Sequence, residues 1–160
     1  MRIKGITDED FVNYKHPSMY ICTSVCDFKC DRESGVSCCQ NSSLAKQISM
    51  YVADDYIIKR YLNNPITKAI VFAGLEPFEQ FTELYAFVRS LRNQYHCNDT
   101  VVIYTGFNKE EIPSPLIEAL REYPNIIIKF GRFVPNQEKH YDEVLGVYLA
   151  SPNQYAEEIS

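Results

Sequence analysis

The sequence predicts an α/β domain with a largely parallel sheet, on three observations. Short apolar runs rich in β-branched and aromatic residues recur along the chain: "KAIVFA" (68–73), "TVVIYT" (100–105) and "NIIIKF" (125–130). Segments with helical spacing separate them. The resulting order of strand, helix, strand implies right-handed crossovers between parallel neighbours.

Taken in order, "SMYICTSV" (18–25) reads as the first strand, and "DDYIIKRYL" (54–62) as a helix with Asp54 available as its N-cap. The strand 68–73 comes next. "EQFTELYAFVRSLRNQY" (79–95) places Phe81, Leu84, Val88, Leu91 and Tyr95 on one helical stripe, which is a core-packing pattern. After the strand 100–105, "PLIEALREY" (115–123) is a helix with Ser114 as N-cap and Pro115 at its first position. The run 125–130 and "EVLGVYLA" (143–150) are the last strands. In such a sheet, chemistry gathers beyond the carboxyl ends of the strands. The cysteine-rich segment comes after the first strand and "GLEP" (74–77) after the second, so both belong to that face.

The 160 residues fit a single domain over 1–160, and apolar residues, 46% of the chain, are spread too evenly to leave a disordered tail. A net charge of −5 with scattered Lys and Arg gives no footprint for a phosphate backbone, so nucleic acid is not an expected partner. The N-terminal stretch lacks an apolar signal core, and no apolar run approaches the roughly 18 residues that span a bilayer. No membrane association is expected, and a cytoplasmic location is expected. In that reducing compartment clustered cysteines point to metal or redox chemistry rather than disulfides. Five of the six lie between Cys22 and Cys39, while Cys97 stands alone as an ordinary free thiol. His16, His96 and His140 belong to no motif.

"CDFKC" (26–30) followed by "CQN" (39–41) resembles the signature of the radical S-adenosylmethionine (SAM) family: Cys-Asn/Asp-apolar-Lys/Arg-Cys, then Cys-aromatic/Gln-Asn. Eight residues separate Cys30 from Cys39 where the family has two, which reads as a six-residue insertion with Gly35 suited to its turn. Cys26, Cys30 and Cys39 are thereby implied as cluster ligands. Cys22, Cys26 and Cys30, evenly spaced, are a rival set, but one that puts a ligand inside a strand and leaves "CQN" unexplained. Three thiolates leave one iron of a 4Fe-4S cluster open. In the family, the open iron takes the amino and carboxylate groups of SAM. Four of the five clustered cysteines could instead close a structural zinc site.

"VFAGLEPF" (71–78) resembles the family's Gly-Gly-Glu-Pro segment, with Gly74, Glu76 and Pro77 kept and Leu75 in place of the second glycine. That turn implies contact with the methionyl amino group of SAM. "DEDFVNYK" (8–15), "YTGF" (104–107) and "GRFVPNQEKHYDEVLGVYLASPNQ" (131–154) narrow the resemblance to the anaerobic ribonucleotide reductase activating proteins. Asn41 and Thr105 are implied as further SAM contacts. Lys129 and Phe130 stand where that family carries an acidic residue, so no role passes to that strand end. The resemblance implies a small, incomplete TIM-like βα barrel of the radical SAM type, acting as a glycyl radical activase on the catalytic subunit of the reductase. It also implies an electron donor such as a flavodoxin. A radical SAM enzyme working on a small molecule or peptide, and a non-enzymatic zinc module, are the alternatives.

Overall fold

Period-two alternation decides which side of each strand meets the helices. The computed structural model describes residues 1–160. Its centre is four parallel strands, β2 (Ser18–Thr23), β4 (Ala69–Gly74), β5 (Thr100–Tyr104) and β6 (Ile126–Phe130), in that spatial order. Met19, Ile21, Ile70, Phe72, Val101, Ile103, Ile126 and Ile128 face the helices and form the larger core.

Three helices cover that face. They are α3 (Asp54–Leu62), α4 (Phe81–Asn93) and α5 (Ser114–Arg121). Leu84, Phe87, Val88 and Leu91 form the stripe of α4, and Phe87 meets Phe72 edge-on at 5.1 Å between ring centroids. Each fully buried side chain of this kind contributes ~1.5–3 kcal/mol by leaving water. Tyr95 lies just past α4 and packs at the margin of the same core. A 3-10 turn, Pro77–Gln80, precedes α4.

The other face carries Ala69, Val71, Ala73, Val102 and Ile127. No helix covers it. Tyr14, Leu145 and Leu149 pack there, the last two supplied by a segment that contains a two-stranded hairpin, β7 (His140–Asp142) and β8 (Val147–Leu149).

The expected strand 143–150 is therefore corrected. Only 147–149 is extended, and it pairs with β7 outside the main sheet. Gly146, at φ 70°, closes a turn in which its own N–H donates to Asp142 O and the Leu145 N–H donates to Asp142 Oδ1. A glycine in the left-handed region breaks the apolar run into turn and strand.

Three further strands complete a seven-stranded sheet in the order β3-β1-β2-β4-β5-β6-β9, all three antiparallel to their neighbours. They are β1 (Arg2–Asp10), β3 (Met50–Tyr51) and β9 (Tyr155–Glu158). The two expected helix caps also differ. Asp54 and Ser114 each occupy the first helical position, and neither helix has a side-chain cap. No helix is long and apolar enough to cross a membrane.

Candidate iron-sulfur site

The site begins where β2 and β4 end together. Thr23 Oγ1 donates to Ala73 O (3.1 Å), and the Glu76 N–H donates to Val25 O (2.7 Å). The two strand exits are held side by side, so the segments that leave them share one space. Cys26 comes first, and its Sγ accepts the Phe28 N–H at 3.2 Å. Phe28 adopts φ 55°, unusual for a bulky side chain, and turns the chain into α1 (Lys29–Ser34), which carries Cys30.

The extra residues between Cys30 and Cys39 form most of that helix and its exit. Gly35, at φ 69°, caps α1 through an N–H donated to Asp31 O. The chain then doubles back, and the N–H groups of Cys38 and Cys39 both donate to Asp31 Oδ1, at 2.8 and 2.7 Å. One carboxylate thus folds the insertion so that Cys39 faces Cys30. After it, Asn41 Nδ2 donates to Gly74 O, just before α2 (Ser42–Ala45).

Cys26, Cys30 and Cys39 line a cavity of about 300 Å³, together with Asn41, Gly74, Glu76 and Thr105. It opens on the helix-free side of the sheet, where Tyr104 and Leu149 also reach its wall. Cys22 and Cys38 are not on that wall. Cys22 sits within β2, beside Gly74, and Cys38 lies behind Cys30. Pro77 is not on the wall either; it is buried at the start of the 3-10 turn, where its fixed φ suits a first position. Burial pushes the Cys26 thiol up to about 11. Burial and then the neighbouring Cys39 push Cys30 up to about 12. Burial first, and then the charge of Cys39 beside them, disfavours ionisation of both thiols until a cation compensates it.

Gly74 needs its glycine. Its φ is 89°, and a Cβ would stand 2.9 Å from Leu44 Cδ2 and 3.1 Å from Cys22 Cα. Leu75, which follows it, is not in the left-handed region.

Glu76 is 5% exposed and its oxygens are engaged. Oε1 accepts from Thr105 Oγ1 (2.7 Å) and the Phe78 N–H (3.1 Å), and Oε2 accepts from the Gly106 N–H (2.8 Å). It therefore clamps the end of β5 to the end of β4. Burial raises its pKa to about 7 against the pull of these donors and of Lys129. Thr105 reaches the cavity through this clamp.

Two cavity-lining cations, Lys129 and Arg132, are absent from the set of residues inferred from motifs. Lys129 is buried, and its Nζ donates to Gly131 O at 2.6 Å. Burial lowers its pKa. A lone Lys inside "IIIKF" was the available signal. Arg132 pairs with Glu111 (2.5 Å) and Glu33 (3.1 Å), and Lys29 also pairs with Glu111, so this network ties α1 to the exit of β6.

A family model described as a 4Fe-4S single cluster domain matches residues 18–153, most of the chain. The chain belongs to that family. No curated protein matches it, and no solved structure does. Family membership makes this an iron-sulfur protein, so the zinc alternative is not carried further. The donor set fits: thiolates hold such clusters, three thiols face one cavity, and none of the six cysteines is in a disulfide. Cys30, Asp31 and Cys38 also bring ligand atoms within 4.8 Å of one another. Asp31 already serves two backbone N–H groups, which assigns it to the loop rather than to a metal.

Glu111 provides a stability test of this iron-sulfur domain. Despite partial desolvation, Lys29, the Asn108 N–H and Arg132 hold its pKa from an ordinary 4.5 down to about 2. A depressed carboxylate contributes stability above its unfolded pKa and loses it as pH falls through the folded one. Glu111→Ala is expected to cost about 2 kcal/mol at neutral pH, because Arg132 keeps only Glu33. Denaturant melts between pH 4.5 and 2 are the check. The wild type should lose its advantage over the variant across that window.

Proposed function

We propose that the protein is a radical SAM activase that generates a glycyl radical on the catalytic subunit of an anaerobic ribonucleotide reductase. One observation carries the reading: the Cys26, Cys30 and Cys39 thiols and the Gly74–Glu76 turn, far apart in sequence, line the same cavity beyond the carboxyl ends of parallel strands. That is where α/β sheets place their ligands. On this reading the parallel strands correspond to the staves of an incomplete βα barrel, and the helix-free face to its inside.

When bound, the cluster supplies the electron that splits SAM into methionine and a 5'-deoxyadenosyl radical. The chain's own residues bind and orient. Cys26, Cys30 and Cys39 would hold three irons of the cluster and would leave one for the methionyl amino and carboxylate groups. Asn41 fixes the carbonyl of Gly74, and Gly74, having no side chain, leaves room for Leu44 and Cys22 to pack behind the turn. Glu76 and Thr105 brace the wall on the far side. Lys129 and Arg132 also line the cavity, Arg132 already paired with Glu33 and Glu111 and Lys129 facing the buried Glu76. A cavity of about 300 Å³ is at the small end of ligand sites, so it encloses a cofactor better than a cofactor with a second molecule. The hydrogen donor then comes from outside, as a protein loop.

The test is anaerobic incubation with SAM, a strong reductant and the cognate reductase subunit. A glycyl radical doublet should appear on the partner by electron paramagnetic resonance, with release of 5'-deoxyadenosine. If deoxyadenosine forms and no partner glycine is oxidised, a small-molecule or peptide substrate becomes the better reading.

A further inference from the structure

Cys38 lies just off the cavity wall, behind Cys30, and has no assigned task. Its Sγ lies 3.6 Å from Cys30 O and 3.2 Å from Ser34 Oγ, and its sulfur falls within 4.8 Å of the Cys30 sulfur. It is half-buried and carries no disulfide. Its backbone N–H is anchored by the same Asp31 oxygen that anchors Cys39, so the vicinal pair is presented to Cys30 as a unit. The hydrogen bonds of its sulfur are to one hydroxyl and one carbonyl. Nothing in the packing explains a thiol there.

A 4Fe-4S cluster held by three thiolates has one iron without a protein ligand, and a fourth thiolate at hand closes it. We infer that Cys38 is the fourth, displaceable ligand: it caps the open iron while the cofactor is absent and yields the position when the cofactor enters. Capping forms one iron–sulfur bond and releases the thiol proton to solvent. Entry of the cofactor's amino and carboxylate groups breaks that bond, and the sulfur takes a proton back. No electron moves in either direction. The extra loop between Cys30 and Cys39 would then protect an otherwise exposed iron. Displacement by SAM rests on the radical SAM reading; the capping itself does not.

The full-length chain, reconstituted anaerobically, tests both parts. Wild type, Cys38→Ala and Cys38→Ser are oxidised mildly with ferricyanide in the absence of SAM, and iron content and the paramagnetic spectrum are followed. The wild type should keep its full iron content. Both variants should lose one iron and show the signal of a three-iron cluster. Cys22→Ala serves as the cysteine control and should behave as the wild type. The serine variant retains the volume and the contact with Ser34, so the test stays decisive if the alanine variant assembles no cluster. Loss of the iron by wild type and serine variant alike, or by neither, overturns the capping role. In a SAM titration, Cys38→Ala should bind on the order of tenfold more tightly, because a competing closed state has been removed. A difference in iron retention without any SAM binding would leave Cys38 as a ligand and remove the radical SAM reading instead.

Discussion

Cys26→Ala, Cys30→Ala and Cys39→Ala should each abolish the 4Fe-4S absorption and paramagnetic signals after reconstitution, and Cys22→Ala should keep them. The three thiols stand on one wall, and losing any one leaves an iron without the ligand that holds it there. Cys22 is part of β2, paired with Gly5 on one side and Ala73 on the other, and it does not line the cavity. Cys38→Ala should retain most of the cluster under strictly anaerobic reducing conditions, because it caps rather than holds. If Cys22→Ala loses the cluster while Cys39→Ala retains it, the ligand assignment is wrong.

Glu76→Ala should weaken SAM binding by at least about tenfold with iron content near normal, and should lower the melting temperature by roughly 10 °C. The carboxylate receives Thr105 Oγ1 and the N–H groups of Gly106 and Phe78, and it is the buried counter-charge of Lys129. Removing one member of such a buried set leaves its partners unsatisfied, at ~3–5 kcal/mol, which is about 2–4 °C per kcal/mol in a domain of this size. Cys39 is placed by a different device, the Asp31 clamp, and the Glu76 N–H that holds Val25 O beside Cys26 survives the side-chain change, so iron should survive. Calorimetry for stability and equilibrium titration for SAM separate the two effects. Unchanged SAM affinity would remove the basis for placing the methionyl end at this turn.

The central strands were legible because they are buried on both faces and therefore continuously apolar: Ala69–Gly74 and Ile126–Phe130 are buried at every position. The outer strands were not. In β1 only Ile3 is fully buried, and the run from Asp8 to Asp10 carries charge rather than alternation, as an outlying strand can. In β9 the sequence "YAEE" buries Ala156 alone, since it lies on the sheet edge where charges guard against further pairing.

The site divides in the same way. The cysteines and the Gly74 turn carry a local spacing that can be read directly. The clamp from Glu76 to Thr105 spans 29 residues, and the network of Lys29, Glu33, Glu111 and Arg132 joins elements even farther apart, so no local pattern announces them. Lys129 was visible as an odd residue in an apolar strand. Its place on the cavity wall comes only from the pairing of β6 beside β5.

The most direct measurement is SAM cleavage by the protein alone. After anaerobic reconstitution, with iron and sulfide contents established and dithionite as reductant, the chain should convert SAM to methionine and 5'-deoxyadenosine, and Cys39→Ala should not. A protein that holds a full 4Fe-4S cluster, shows no spectral change on adding SAM and releases no deoxyadenosine would contradict the proposed function and leave an iron-sulfur domain with a different task.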